Sequence, residues 1–148
     1  MRDPLPDGAK PGVLVADDDP QVRRLLAAYL GRQGLAVWTA GGGDEAVELY
    51  RRHRDAIGVV LLDVIMPGRD GPATLAALRR IDPGLRAAFM TADSGGYSGE
   101  ELLAAGAERV FRKPFTALSE LAEALRGMAG GVAAAGHGGG HGRGGEVS

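Results

Sequence analysis

Five short apolar runs, each followed by apolar residues at helical spacing, constrain this chain more than any other feature of it. Val13-Leu14-Val15-Ala16 is continuous in the way of a strand buried on both faces. It stops at Asp17-Asp18-Asp19, and Pro20 takes the first helical position behind an Asp19 cap. Val22, Leu25, Leu26, Tyr29 and Leu30 then keep a helical stripe until Gly31 and Gly34 end it. The same alternation recurs. Strands are expected at Ala36–Thr39, Ile57–Leu62, Ala87–Met90 and Val110–Phe111. Helices are marked by Ala46, Val47, Leu49 and Tyr50, by Leu75, Leu78 and Ile81, by the Ser98-Gly99-Glu100-Glu101 capping box, and by Leu118, Leu121, Ala122 and Leu125. Strand and helix alternating five times with short connections predict an α/β domain: a doubly wound parallel sheet with helices on both faces.

Composition sets the limits of that domain. Of 25 glycines in 148 residues, ten fall between Gly127 and Ser148, where large apolar residues are almost lacking. Such a segment cannot offset the entropy of its own ordering. The expected organisation is therefore a flexible lead-in over residues 1–11, one domain over 12–127 and a Gly-rich disordered tail over 128–148. Cys is absent, which excludes disulfides, thiolate catalysis and cysteine-ligated metal centres. A net charge of −2 gives no general drive toward nucleic acid. No apolar run approaches the ~20 residues that span a bilayer, and the N-terminus lacks the apolar core of a signal peptide. The expectation is a cytoplasmic domain that binds neither nucleic acid nor membrane.

Ligands of an open parallel sheet bind beyond the carboxyl ends of its strands. The first strand delivers Asp17 and Asp18 to that edge, the third Asp63, the fourth Thr91 and the fifth Lys113; the second delivers only Thr39-Ala40, as suits a strand away from the site. Crowded carboxylates repel and favour protonation unless a cation is near. Lys113 supplies one charge, and it is one of only two lysines in a chain that otherwise uses Arg. A hard divalent ion such as Mg²⁺ supplies the rest, because it takes oxygen ligands, keeps waters and favours one or two carboxylates plus phosphate oxygens. A carboxylate beside such an ion can attack phosphorus and become an aspartyl phosphate, with Thr91 and Lys113 carrying charge on the phosphoryl oxygens.

The stretches Val13-Leu14-Val15-Ala16-Asp17-Asp18-Asp19-Pro20, Leu61-Leu62-Asp63-Val64-Ile65-Met66-Pro67-Gly68-Arg69-Asp70-Gly71, Met90-Thr91-Ala92 and Arg112-Lys113-Pro114-Phe115 resemble the receiver domain of two-component response regulators. The resemblance implies a flavodoxin-like (βα)5 fold with strand order 2-1-3-4-5 and a response regulator that signals through a phosphorylation-dependent change of its surface; because 148 residues leave no room for a separate folded output module, a single-domain regulator is expected. It implies Asp63 as phosphoacceptor, Thr91 and Lys113 as phosphoryl-binding groups, and a cis Lys113–Pro114 bond. Mg²⁺ would be held by Asp18, Asp63 and the Ile65 backbone carbonyl, with Asp17 acting through a metal-bound water. The implied partners are a sensor histidine kinase or phosphotransfer protein as donor and a downstream protein target. A homodimer through the face of the fourth helix, fifth strand and fifth helix also belongs to the family's repertoire. Such a domain catalyses its own phosphorylation and dephosphorylation and acts on no external substrate; the side chains of Ile65 and Asp93 bear on the phosphoryl lifetime.

One position departs from the family pattern. Many receivers carry Tyr or Phe three residues before the lysine, where this chain has Val110; Phe111 next to it should point to the opposite face. Tyr97, in the Gly-rich stretch Ala92–Gly99, is either a substitute for part of that switching surface or an exposed loop tyrosine. A magnesium-dependent phosphohydrolase on the same topology is the competing enzyme reading, but its nucleophile follows the first strand and it carries a capping domain. A degenerate receiver is the competing binding reading, and the intact set Asp17, Asp18, Asp63, Thr91 and Lys113 argues against it. Arg51-Arg52-His53-Arg54 reads as a solvated helix end, Gly41-Gly42-Gly43 as a turn without a P-loop ending, Trp38 as edge-strand packing, and His137 and His141 as part of the tail.

Overall fold

The computed structural model describes residues 9–92, 96–113 and 117–130. Its elements alternate throughout: β1 (Gly12–Ala16), α1 (Pro20–Arg32), β2 (Ala36–Ala40), α2 (Gly43–His53), β3 (Val59–Asp63), α3 (Gly71–Ile81), β4 (Arg86–Thr91), α4 (Gly99–Ala104), β5 (Arg109–Arg112) and α5 (Leu118–Gly130). The strands form one parallel sheet in the order β2-β1-β3-β4-β5. The flavodoxin-like, doubly wound expectation is met.

Alternate residues of each strand feed two separate cores, as the two-residue period of a strand requires. Leu14, Ala16, Val60, Leu62, Ala87 and Phe89 pack under Tyr50, Leu75, Leu78 and Leu102 from α2, α3 and α4. Val13, Val15, Val59, Leu61, Ala88 and Met90 pack under Leu26 and Leu30 of α1 and Leu121, Leu125 and Met128 of α5. Each fully buried Leu contributes about 1.5–3 kcal/mol, so the central strands β1 and β3 anchor the edge from which the polar groups project.

Local signals behave as their chemistry dictates. The Asp19 side chain accepts the Gln21 N–H and Pro20 opens α1. Ser98 and Glu101 form the full capping box of α4. Arg51, Arg52 and His53 close α2, where the helix dipole favours them, and Trp38 stacks on His53 at 5.2 Å between ring centroids.

Three expectations need correction. Leu25, counted in the α1 stripe, is 48% exposed, because Leu26 and Leu30 already fill the space over the sheet. The third strand begins at Val59 rather than Ile57, because the Ile57 N–H caps the end of α2 by donating to the His53 carbonyl. Helix α5 runs to Gly130, past the limit drawn at Gly127, because Met128 and Ala129 are buried against the sheet. The Lys113–Pro114 bond, Phe115, Asp93, the lead-in over 1–8 and the tail from 131 onward lie outside the described residues.

Candidate functional site

The carboxyl edge of the sheet gathers the residues that the sequence placed there. Asp17 follows β1 and is fully buried; Asp18 next to it is exposed; Asp63 ends β3 and Thr91 ends β4, both 6% exposed. Asp17, Asp18 and Asp63 each offer a carboxylate oxygen within 4.8 Å of the others. The Lys113 ammonium donates to Asp17 Oδ2 at 2.7 Å and lies 3.5 Å from Asp63 Oδ2.

The backbone explains why these groups converge. The Val64 N–H donates to the Met90 carbonyl, and the Lys113 N–H to the Thr91 carbonyl, so the ends of β3, β4 and β5 remain in register beyond the strands. The chain leaving Asp63 turns back at once, with the Gly71 N–H donating to the Val64 carbonyl at 2.8 Å. A side chain at Gly71 would put its Cβ 2.6 Å from the Asp63 carbonyl oxygen, which is why glycine stands there. Ile65 stays 51% exposed beside the site.

Each carboxylate has a distinct environment. Asp17 Oδ1 accepts the Asp19 N–H at 2.9 Å while Oδ2 takes the lysine, so both of its oxygens are engaged within the protein. Asp63 is pushed from 3.8 up to about 6, first by burial and then by the Asp17 charge, against the pull of Lys113 and with a further push from Asp18. Burial works to lower Lys113, but its hydrogen bond to Asp17 and the charges of Asp63 and Asp17 outweigh it and leave the ammonium above its ordinary range. Three hard oxygen donors, only one pulled strongly by a cation, fit a small divalent ion that completes its shell with water.

Two contributors were missed in the sequence. Arg23 Nη1 donates to the Asp17 carbonyl at 2.8 Å, fastening α1 to the acidic turn. An arginine in the second turn of a helix opposes the dipole, and that mismatch was the available signal. Asp70 accepts the Ala73 N–H with Oδ1, capping α3, and the Tyr97 hydroxyl with Oδ2 at 2.9 Å. Nothing periodic links the two residues, so only the fold shows the pair. The bond to Asp70 raises the Tyr97 phenol above its usual range. Val110 and Tyr97 pack against the α2–α3–α4 core and Phe111 against the opposite one, as the strand period demanded.

An open parallel sheet with an acidic trio and one lysine at its carboxyl edge defines a doubly wound α/β domain with a candidate cation site at its switch edge. The response regulator receiver domain matches residues 13–126, and the chain belongs to that family. It is 34% identical over 122 residues to the probable transcriptional regulatory protein TcrX of Mycobacterium tuberculosis, covering 82% of this chain and 51% of that protein. It is 35% identical over 104 residues to the sensor histidine kinase RcsC of Salmonella typhimurium, 70% of this chain and 11% of that one. The crystal structure of the CheX–CheY–BeF3–Mg²⁺ complex from Borrelia burgdorferi superposes with a TM-score of 0.72 at 28% identity, covering 80% of this chain and 89% of the other. The chain spans from 14% to 51% of the length of the first curated relatives it matches. The single-domain expectation rested on sequence length and finds no support in those relatives. No helix among the described residues is long and apolar enough to cross a membrane.

Proposed function

We propose that this domain accepts a phosphoryl group on Asp63 from a phosphohistidine on a sensor kinase or phosphotransfer protein, in the cytoplasm, and signals to a downstream protein through the change that follows. The observation that carries the reading is the convergence of Asp17, Asp18 and Asp63 on one point with Lys113 against two of them. Asp18, Asp63 and the Ile65 carbonyl would hold Mg²⁺, with Asp17 reaching it through water because its own oxygens are engaged. The bound ion would neutralise charge on the phosphoryl oxygens and on the crowded carboxylates.

Asp63 is the nucleophile. Its carboxylate oxygen bonds to phosphorus as the P–N bond to the donor imidazole breaks, and the departing nitrogen keeps the electron pair and takes a proton from solvent. Lys113 and Thr91 stabilise the transferred group by preorganised donation. A pKa of about 6 leaves Asp63 mostly ionised at neutral pH, and so available for attack. Members of this family are phosphoacceptors rather than enzymes acting on separate substrates.

The test is intact mass after incubation with Mg²⁺ and acetyl phosphate. The expected result is a single phosphoryl adduct on the native protein and none on Asp63→Asn. No adduct on either would leave a degenerate contact module, and multiple-turnover phosphate release from unrelated esters would mark a phosphohydrolase.

A further inference from the structure

We propose that Arg23 is a positioning residue for the divalent cation: by holding the Asp17–Asp18 peptide it aims the Asp18 carboxylate at the point it shares with Asp63. The proposal rests on the reading of Asp17, Asp18 and Asp63 as a Mg²⁺ site and names what orders the least supported of the three.

The carboxylates are held very unequally. Asp17 is fixed through every polar group it has. Its N–H donates to the Ala40 carbonyl at 3.0 Å. Its Oδ1 accepts the Asp19 N–H, its Oδ2 the Lys113 ammonium and its carbonyl the Arg23 guanidinium. Asp63 ends a fully buried strand, and its Oδ2 lies 3.5 Å from the Lys113 ammonium. Asp18 is exposed, and among the described residues no hydrogen bond or ion pair holds its carboxylate. Its direction is therefore set by the backbone that carries it. The Asp17 carbonyl and the Asp18 N–H belong to one planar peptide unit. Arg23 Nη1, bonded to that carbonyl at 2.8 Å, fixes the plane from which the Asp18 residue departs.

The rest of the fold makes room for this contact. Arg23 is half-buried in α1, with its own N–H in the helical bond to the Asp19 carbonyl. A positive charge there opposes the helix dipole and repels a second cation, so neither effect favours an arginine. Yet a slot is kept for it. A Cβ on Gly41 would lie 3.1 Å from Nη1 and 3.6 Å from Cζ, and the Gly41 N–H is turned to Glu45 Oε1 at 2.7 Å. The glycine that follows β2 thus leaves the space through which the guanidinium reaches the Asp17 carbonyl.

A positioning role and a bystander charge predict opposite signs. A bystander cation weakens Mg²⁺ binding, so its removal tightens it. A positioning residue orders a ligand, so its removal weakens binding. Groups that orient metal ligands are typically worth 10–100-fold in affinity. Arg23 orders one ligand of the set, which places its effect at the lower end, about tenfold.

The experiment is titration of the full chain with magnesium chloride, followed by amide NMR shifts, for the native protein, Arg23→Met and Arg24→Met. A urea midpoint without Mg²⁺ is recorded for each. Methionine keeps much of the stem and removes the donor and the charge. Arg24 is the exposed neighbour, and its substitution removes the same charge from the same stretch of α1. The Mg²⁺ dissociation constant should rise about tenfold in Arg23→Met and stay level or fall in Arg24→Met. With acetyl phosphate, the Mg²⁺ concentration for half-maximal labelling of Asp63 should rise by the same factor, and saturating Mg²⁺ should restore the native rate. A merely structural arginine would lower the urea midpoint and leave both Mg²⁺ constants alone. Should Arg23→Met not fold, Gly41→Ala takes its place, because its Cβ displaces the guanidinium and should raise the constant as well. Native or tighter Mg²⁺ binding in that variant, or an equal loss in Arg24→Met, overturns the positioning role alone. No Mg²⁺ binding by the native protein overturns the reading of the acidic trio and the proposal with it.

Discussion

Lys113 Nζ lies 2.7 Å from Asp17 Oδ2, a contact that crosses β4 and β3 to join the outer strand β5 to the end of β1. The ammonium is nearer to Asp17 than to Asp63, which it meets at 3.5 Å. One cation thus holds the fully buried carboxylate and still leaves the neighbouring one open to another electrophile. It also ties the least buried strand of the sheet to its centre.

Lys113→Met tests that link. The substitution keeps much of the stem and removes the charge, leaving Asp17 buried beside two other carboxylates. Losing one partner of a buried pair costs about 3 kcal/mol. The urea midpoint of the Mg²⁺-free protein should fall accordingly at pH 7, and added Mg²⁺ should restore part of the loss by binding only the folded carboxylates. An unchanged midpoint would mean that the pair contributes nothing to stability.

Asp63 gives the fold a pH dependence of definite sign. Its value rises from 3.8 to about 6 on folding, with burial as the main cause. Between those values the folded state binds more protons than the unfolded one, so stability is greatest below the lower value and is lost as pH rises through the upper. The opening of the pocket to solvent screens the effect, and about 1–2 kcal/mol remains. Asp63→Asn cannot titrate there. Without Mg²⁺ it should match the native protein near pH 4 and exceed it near pH 7, as read from paired urea titrations. Parallel pH profiles for the two proteins would remove Asp63 as the source.

The fold and most of the site were legible because the signals were local and repeated. Val13–Ala16 announces a buried strand, and the residue after it must stand at the sheet edge; the same holds for Asp63, Thr91 and Lys113. What escaped depends on groups that meet only in space. The Arg23 contact with the Asp17 carbonyl and the Tyr97 contact with Asp70 have no period to betray them. Leu25 satisfied the helical pattern yet stayed exposed, because a stripe gives the buried face without its width.

Gly71 is the residue on which the position of Asp63 turns. An added Cβ would lie 2.6 Å from the Asp63 carbonyl oxygen and 3.0 Å from Val64 Cα, both backbone atoms with little freedom to retreat. Gly71→Ala should therefore cost about 1–3 kcal/mol as an overpacked site. It should also slow acetyl phosphate labelling of Asp63, since the strand end must shift to admit the methyl group. Wild-type labelling rates together with wild-type stability would show that the loop yields without disturbing the site.

Gly127 offers the opposite case. Its backbone is helical within α5, it is exposed, and a Cβ there would meet nothing within 4 Å. The glycine therefore brings only the entropic cost of its freedom in the unfolded chain, about 0.5–1 kcal/mol relative to alanine. Gly127→Ala should raise the melting temperature by a few degrees and leave phosphoryl acceptance unchanged, because α5 reaches the sheet through Leu121, Leu125 and Met128 on its other face. The same substitution tests where the helix ends. Were the chain already unwound at Gly127, alanine would change the melting temperature little, and the burial of Met128 and Ala129 against the sheet would have no helix to place it.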